Sequence, residues 1–80
     1  MKLDVLRNKL GLTQAQLAQA LGVRERTVLR WEEGTSKPTG TAADAIGAIT
    51  DAVEEGGNPR TIGRAITVGV RRLLYEAITS

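Results

Sequence analysis

Arg26, Leu29 and Arg30 carry binding chemistry that a helix serving only as scaffold has no use for. On a helical wheel of about 100° per residue, with Val28 set inward, Arg26, Leu29, Arg30 and Glu33 fall on the outer side. Two like charges four residues apart slightly disfavour an isolated helix. The leucine between them is apolar surface given to water. Arginine can donate a pair of N–H groups to O6 and N7 of guanine, and a leucine can pack on a thymine methyl. Glu25 could accept from cytosine N4, hold Arg26 in place, or be a first-turn acid favoured by the helix dipole. A solvated face with one stray leucine is the plain alternative, because single exposed leucines are common.

The inner side of the same segment poses a second problem. Glu32 falls beside Val28 and Trp31, and a carboxylate placed inward needs a partner. Arg7 is the candidate, which predicts an ion pair between the first and third helical segments. Trp31 reads as core and not as a platform for stacking bases.

The elements that must position these groups are helices, expected at about 2–10, 14–21, 24–33, 41–55 and 59–78. Leu3, Leu6 and Leu10 recur at helical spacing, and Gly11 ends that run. Thr13 is placed to cap the second helix, with Gln16 three residues on completing a capping box. Ala15, Leu17, Ala18 and Leu21 are expected on its apolar face. Gly22 and Gly34 stand where helices two and three must stop. Arg24 opens the third helical segment, and its side chain cannot accept a hydrogen bond. Two helices joined by three or four residues including a glycine cross steeply, the geometry of a helix-turn-helix, although short connections also occur in plain helical bundles.

Thr35 to Gly40 has the composition of a loop. Ala42, Ala45, Ile46, Ile49 and Val53 give the fourth helix an apolar side, and Gly56-Gly57 breaks it. Asn58 can cap a fifth helix that has Pro59 at its first position. Ile62, Ile66, Gly69, Val70, Leu73 and Ala77 follow a helical period. Ile62, Arg64, Ile66, Val68 and Val70 also alternate, so a strand over Thr61–Val70 is the competing reading. Val70, Leu73, Leu74 and Ile78 exceed what four short helices can cover and are expected at a dimer interface. Arg60, Arg64, Arg71 and Arg72 read as a solvated basic side, or as additional contacts to a polyanion.

Composition narrows the function classes. The chain of 80 residues has no cysteine and no histidine. Disulfides, the usual zinc sites and thiolate or imidazole catalysis are therefore excluded. No metal and no cofactor are expected. Glu32-Glu33 and Glu54-Glu55 are sequence neighbours that diverge by about 100° on a helix, so neither is a catalytic carboxylate pair. Gly56-Gly57 is followed by Asn58-Pro59 and no lysine, unlike a phosphate-cradling loop. No apolar run reaches the roughly 18 residues of a membrane span, and the charged start Met1-Lys2-Leu3-Asp4 is expected to be helical and not a signal peptide. A cytoplasmic protein is expected, associated with the nucleoid through DNA.

The net charge of +2 hides a pattern. Residues 1–40 carry seven Lys/Arg against four Asp/Glu, a surplus of +3. Residues 41–57 carry four acids and no base, and residues 58–80 carry four arginines against one glutamate. The basic blocks act locally, since charges are screened beyond about 8 Å at physiological salt.

The run Leu12-Thr-Gln-Ala-Gln-Leu-Ala-Gln-Ala-Leu-Gly-Val-Arg-Glu-Arg-Thr-Val-Leu-Arg-Trp-Glu-Glu-Gly34, with Lys37-Pro38 after it, closely resembles the phage-repressor/Cro-like (XRE) helix-turn-helix family. The resemblance extends over about residues 3–55. It implies an all-α, compact five-helix lambda-repressor-like domain, with residues 1–57 as the DNA-binding core; residues 58–80 are expected, from their own helical period, to be a C-terminal helix of the same domain. By position it implies base reading by Glu25, Arg26, Leu29 and Arg30. It implies phosphate contacts by Gln14, Thr27 and Lys37, and an internal salt bridge between Arg7 and Glu32. Arg24 departs from the small polar residue usual there, and a phosphate contact by Arg24 would account for it. The expected function is a dimeric transcriptional repressor on a double-stranded DNA operator. An antitoxin that binds a toxin partner and represses its own promoter, or a coactivator-type adaptor, is the alternative. The tail from residue 58 matches no particular member.

Overall fold

A computed structural model describes the backbone of residues 2–79 and the side chains of residues 2–69. The described chain is all-helical: α1 (Leu3–Leu10), α2 (Gln14–Leu21), α3 (Glu25–Glu33), α4 (Gly40–Glu54) and α5 (Pro59–Thr79). Local chemistry explains the boundaries. Thr13 Oγ1 accepts from Gln16 N at 3.1 Å while Gln16 Oε1 accepts from Thr13 N at 2.9 Å, a reciprocal capping box. Gly22 and Gly34 end α2 and α3 in the left-handed region, at φ 70° and 81°, which glycine reaches without steric cost. Asn58 Oδ1 accepts from the backbone N–H groups of Arg60 and Thr61 at the start of α5.

Leu6, Leu10, Leu12, Leu17, Ala18 and Val28 form the buried core. Leu3, Leu21, Val23, Trp31, Ile46, Ile49, Val53 and Ile62 pack partly buried around it. The core thus sits where α1, α2 and α3 meet. α2 packs chiefly on α3, and α5 lies across α1 and α2. The apolar side of α4 is present as expected, but α4 contains no fully buried residue.

The expected fifth helix forms, its competing strand reading falls, and two smaller expectations need correction. The strand over Thr61–Val70 does not form. Ile62, Gly63, Ile66 and Thr67 are the inward residues there and Arg64 and Val68 are exposed, a helical stripe in place of an alternation. Its cause is tertiary. A Cβ on Gly63 would lie 2.0 Å from the Leu10 carbonyl oxygen, so α5 approaches α1 more closely than any side chain permits. Gly69, placed on one helical period with Ile62 and Ile66, is exposed where those two are partly buried. Ala15 is exposed too, leaving Leu17 and Ala18 as the buried face of α2. Val70, Leu73, Leu74, Ile78, Arg71 and Arg72 lie outside the residues whose side chains are described.

Candidate nucleic-acid interface

α3 is built as a two-sided element. Val28 is fully buried, and Trp31 and Glu32 are half-buried beside it. Glu25, Arg26, Leu29, Arg30 and Glu33 are exposed, and Leu29 leaves 40% of its surface to solvent. The structure therefore brings the four candidate base readers, Glu25, Arg26, Leu29 and Arg30, onto one open side of a nine-residue helix. Among the described residues none of these charged groups is in an ion pair; the salt bridge on this helix is made by Glu32, on its inner side, with Arg7.

That salt bridge clamps the inner side. Arg7 Nε donates to Glu32 Oε2 at 2.7 Å and Arg7 Nη2 donates to Glu32 Oε1 at 3.0 Å, a two-pronged contact from α1 to α3. Gln14 Nε2, on the first turn of α2, donates to Glu32 Oε1 at 3.1 Å. Arg7 Nη1 donates to the Leu12 carbonyl oxygen at 3.0 Å, in the turn between α1 and α2. One carboxylate and one guanidinium thus tie together α1, the following turn, α2 and α3. The hydrogen bond from Arg7 holds the Glu32 carboxyl below its ordinary range, helped by Gln14 and opposed by desolvation. The Arg7 guanidinium is raised by the same hydrogen bond.

The four candidate phosphate contacts do not form one cluster of equivalent groups. Gln14 is half-buried and spends one amide hydrogen on Glu32, leaving its second hydrogen and its backbone N–H. Arg24 is exposed at the N-cap of α3, extended at φ −80° and ψ 150°, and makes no side-chain cap hydrogen bond. Thr27 is half-buried in the first turn of α3. Lys37 is exposed in the loop after Gly34, where Thr35 N–H and Oγ1 both donate to the Arg30 carbonyl oxygen. The part sequence reasoning missed is the Leu12 carbonyl as acceptor for Arg7. No side-chain pattern marks a backbone acceptor in a turn.

Among the described residues no helix is long and apolar enough to cross a membrane. Among them, too, no group of three or more acidic residues is placed to hold a metal ion.

A helix-turn-helix family model matches residues 5–54, which contain α1 from its third residue and all of α2, α3 and α4. Type II methyltransferase M.SsoII of Shigella sonnei is 36% identical over 77 residues, an alignment covering 88% of this chain and 20% of that protein. The chain therefore spans about one fifth of the length of this curated relative. No solved structure matches the chain. With the capping box, the two glycine stops and the Arg7–Glu32 clamp in place around the matched segment, the chain belongs to the phage-repressor/Cro-like (XRE) helix-turn-helix family of DNA-binding regulators.

Proposed function

We propose that the chain is a sequence-specific transcriptional regulator, a dimeric repressor that inserts α3 into the major groove of a palindromic operator. The observation that carries this reading is the open side of α3. Arg26, Leu29 and Arg30 face solvent while the opposite side of the helix is fixed by the core and by Arg7, Gln14 and Glu32. Specific readout needs side chains presented from a rigid element, and this helix supplies both. Arg26 and Arg30 each donate to guanine, Leu29 packs on a thymine methyl, and Glu25 accepts from cytosine N4. Arg24, Thr27, Lys37 and the second amide hydrogen of Gln14 hold phosphates and set the register.

In a two-fold dimer the α3 helices enter successive major grooves about 34 Å apart. Val70, Leu73, Leu74 and Ile78 on α5 form the interface, and α5 belongs to the same domain as residues 1–57. The packing of its first half on α1 and α2 supports that assignment. Catalysis plays no part in this role, and the protein acts in the cytoplasm, on the nucleoid.

The deciding experiment is a salt-titrated gel shift with the promoter region beside the coding sequence and a scrambled duplex of equal composition. Specific retention of the promoter fragment, at a salt where the scrambled duplex is released, is the expected result. Equal retention of both at every salt concentration refutes sequence-specific regulation. The relative supports a second reading, because the matched segment is one fifth of a methyltransferase. In that case the chain is the DNA-docking segment of a longer enzyme, and a reading frame continuing past Ser80 into a catalytic region would favour it.

A further inference from the structure

We propose that the cleft between α1, the end of α3, the 35–39 loop and α4 binds a small amphipathic carboxylate. The cleft has a volume of about 450 Å³, within the range of small-molecule sites. Leu3 and Leu6 of α1, Trp31 of α3, Pro38 of the loop and Ile46 of α4 give it an apolar lining. Lys2 and Lys37 also line it, and no acidic residue does. The occupant must then combine two chemistries. A bare anion would satisfy the ammonium groups and leave the apolar lining wet. A pure hydrocarbon would cover Trp31 and Ile46 and offer nothing to either lysine. An aliphatic or aromatic body with one carboxylate head meets both demands.

The wall contributed by α4 has reason to accept such a filler. Ile46, Ile49 and Val53 reach the core only partly buried, and α4 holds no buried residue. The N-cap Thr39 makes no side-chain cap hydrogen bond. Among the described residues the side-chain hydrogen bond of α4 runs from Thr50 Oγ1 to the Ile46 carbonyl oxygen and is local to the helix. An apolar body lying against Ile46, Trp31 and Leu3 would join α4 to the α1–α3 pair and stabilise the fold by mass action. The second cleft, lined by Leu10, Gly11, Leu12, Gln16, Arg60, Gly63, Arg64 and Thr67, is smaller at about 280 Å³ and has fewer apolar side chains to hold a body.

The site stands apart from the DNA-binding reading. One consequence joins them: Lys37 is also a proposed phosphate contact, so occupancy and DNA binding would compete if both hold.

The test needs no DNA. Octanoate is titrated into the full chain, and emission from Trp31, its single tryptophan, is followed together with the melting temperature. A saturable emission change and a rise in melting temperature are expected. Octanol, with the same tail and no charge, and acetate, with the head and no tail, should each bind about tenfold or more weaker. Lys2→Ala and Lys37→Ala change exposed residues and keep the fold, and each should weaken octanoate about two- to fivefold, as exposed ion pairs do. Ile46→Ser should weaken octanoate and octanol alike. Three results overturn the proposal: no saturable response, equal binding of octanol and octanoate, or an emission change that follows protein concentration without octanoate. The last would mean that a second copy of the chain covers the cleft. Because no duplex is present, failure here leaves the regulator reading intact, and failure of the gel shift leaves this site intact.

Discussion

Removing either end of the Arg7–Glu32 pair should destabilise the fold far more than an ordinary surface charge change. The Glu32 side chain is 8% exposed and that of Arg7 16%. Arg7→Ala would leave an inward carboxylate with one neutral donor, Gln14 Nε2. Hydrogen bonds to charged groups contribute about 1.5–3 kcal/mol each, and orphaning one end of a buried pair costs about 3–5 kcal/mol. Partial exposure moves this site toward the lower figure, so about 2–4 kcal/mol is expected for Arg7→Ala and for Glu32→Ala. A domain of this size is stable by about 4–12 kcal/mol, so the loss is a large fraction of the total.

Urea unfolding followed by Trp31 emission and by helical circular dichroism measures it. A double variant, Arg7→Leu with Glu32→Leu, should lose less than the sum of its singles by about 1–2 kcal/mol, because no charge is then orphaned. The pH dependence gives an independent check. The folded-state value of Glu32 is lowered, so its contribution is complete above the ordinary carboxylate value of about 4.3 and is lost as pH falls through the folded value. The wild type should therefore lose stability below about pH 4.3 more steeply than Glu32→Gln. Single variants within about 0.5 kcal/mol of wild type, or singles that simply add, would refute the clamp as an energetic unit.

Four further substitutions test other links. Arg26→Ala should cost about 1–3 kcal/mol of binding on the best duplex and relax base choice at one position, as read by selection from a random-sequence library. Lys37→Ala should weaken specific and scrambled duplexes alike and reduce the slope of log K against log salt by about 1. Arg24→Asp supplies the missing cap acceptor, so thermal melting should show a gain of about 1 kcal/mol while gel shifts show weaker DNA binding. Gly63→Ala drives a methyl group against the Leu10 carbonyl and should destabilise by about 1–3 kcal/mol; an unchanged melting temperature would show that α5 is not held against α1.

Much of this architecture was legible because local chemistry sets it. Thr13 with Gln16, the stops at Gly22 and Gly34, and Asn58-Pro59 each act within a few residues, so a linear reading finds them. The open side of α3 was legible for a similar reason: once Val28 is inward, helix geometry fixes where Arg26, Leu29 and Arg30 lie. Errors arose where a distant partner decides. Periodicity alone left helix and strand open over Thr61–Val70, and the approach of Gly63 to the Leu10 carbonyl is a tertiary fact. Ala15 was misplaced because an alanine gains too little from burial to reveal its side. Leu12 was overlooked as core because it lies between helices, outside any period, yet it is 6% exposed. The shallow seating of α4 was hidden as well, since regular apolar spacing says which side faces inward but not how deeply it sinks.

The uneven seating of the helices bears on how a regulator of this size can work. A core confined to the meeting of α1, α2 and α3, together with the Arg7–Glu32–Gln14 clamp, concentrates ordering free energy on the element that must be rigid. α4 receives little of it, holding no buried residue and, among the described residues, making no side-chain hydrogen bond to another helix. Segments with few buried contacts open first, so α4 should exchange its amide protons ahead of α3. Its charges act in the same division. Asp44, Asp51, Glu54 and Glu55 are all exposed, whereas Arg24, Arg26, Arg30 and Lys37 are exposed on α3, its cap and the following loop. Under the proposed role, an approaching polyanion would be drawn to the second set, whose four cations outnumber the exposed Glu25 and Glu33 beside them, and repelled by the first, so the charge pattern would orient the domain before α3 makes contact.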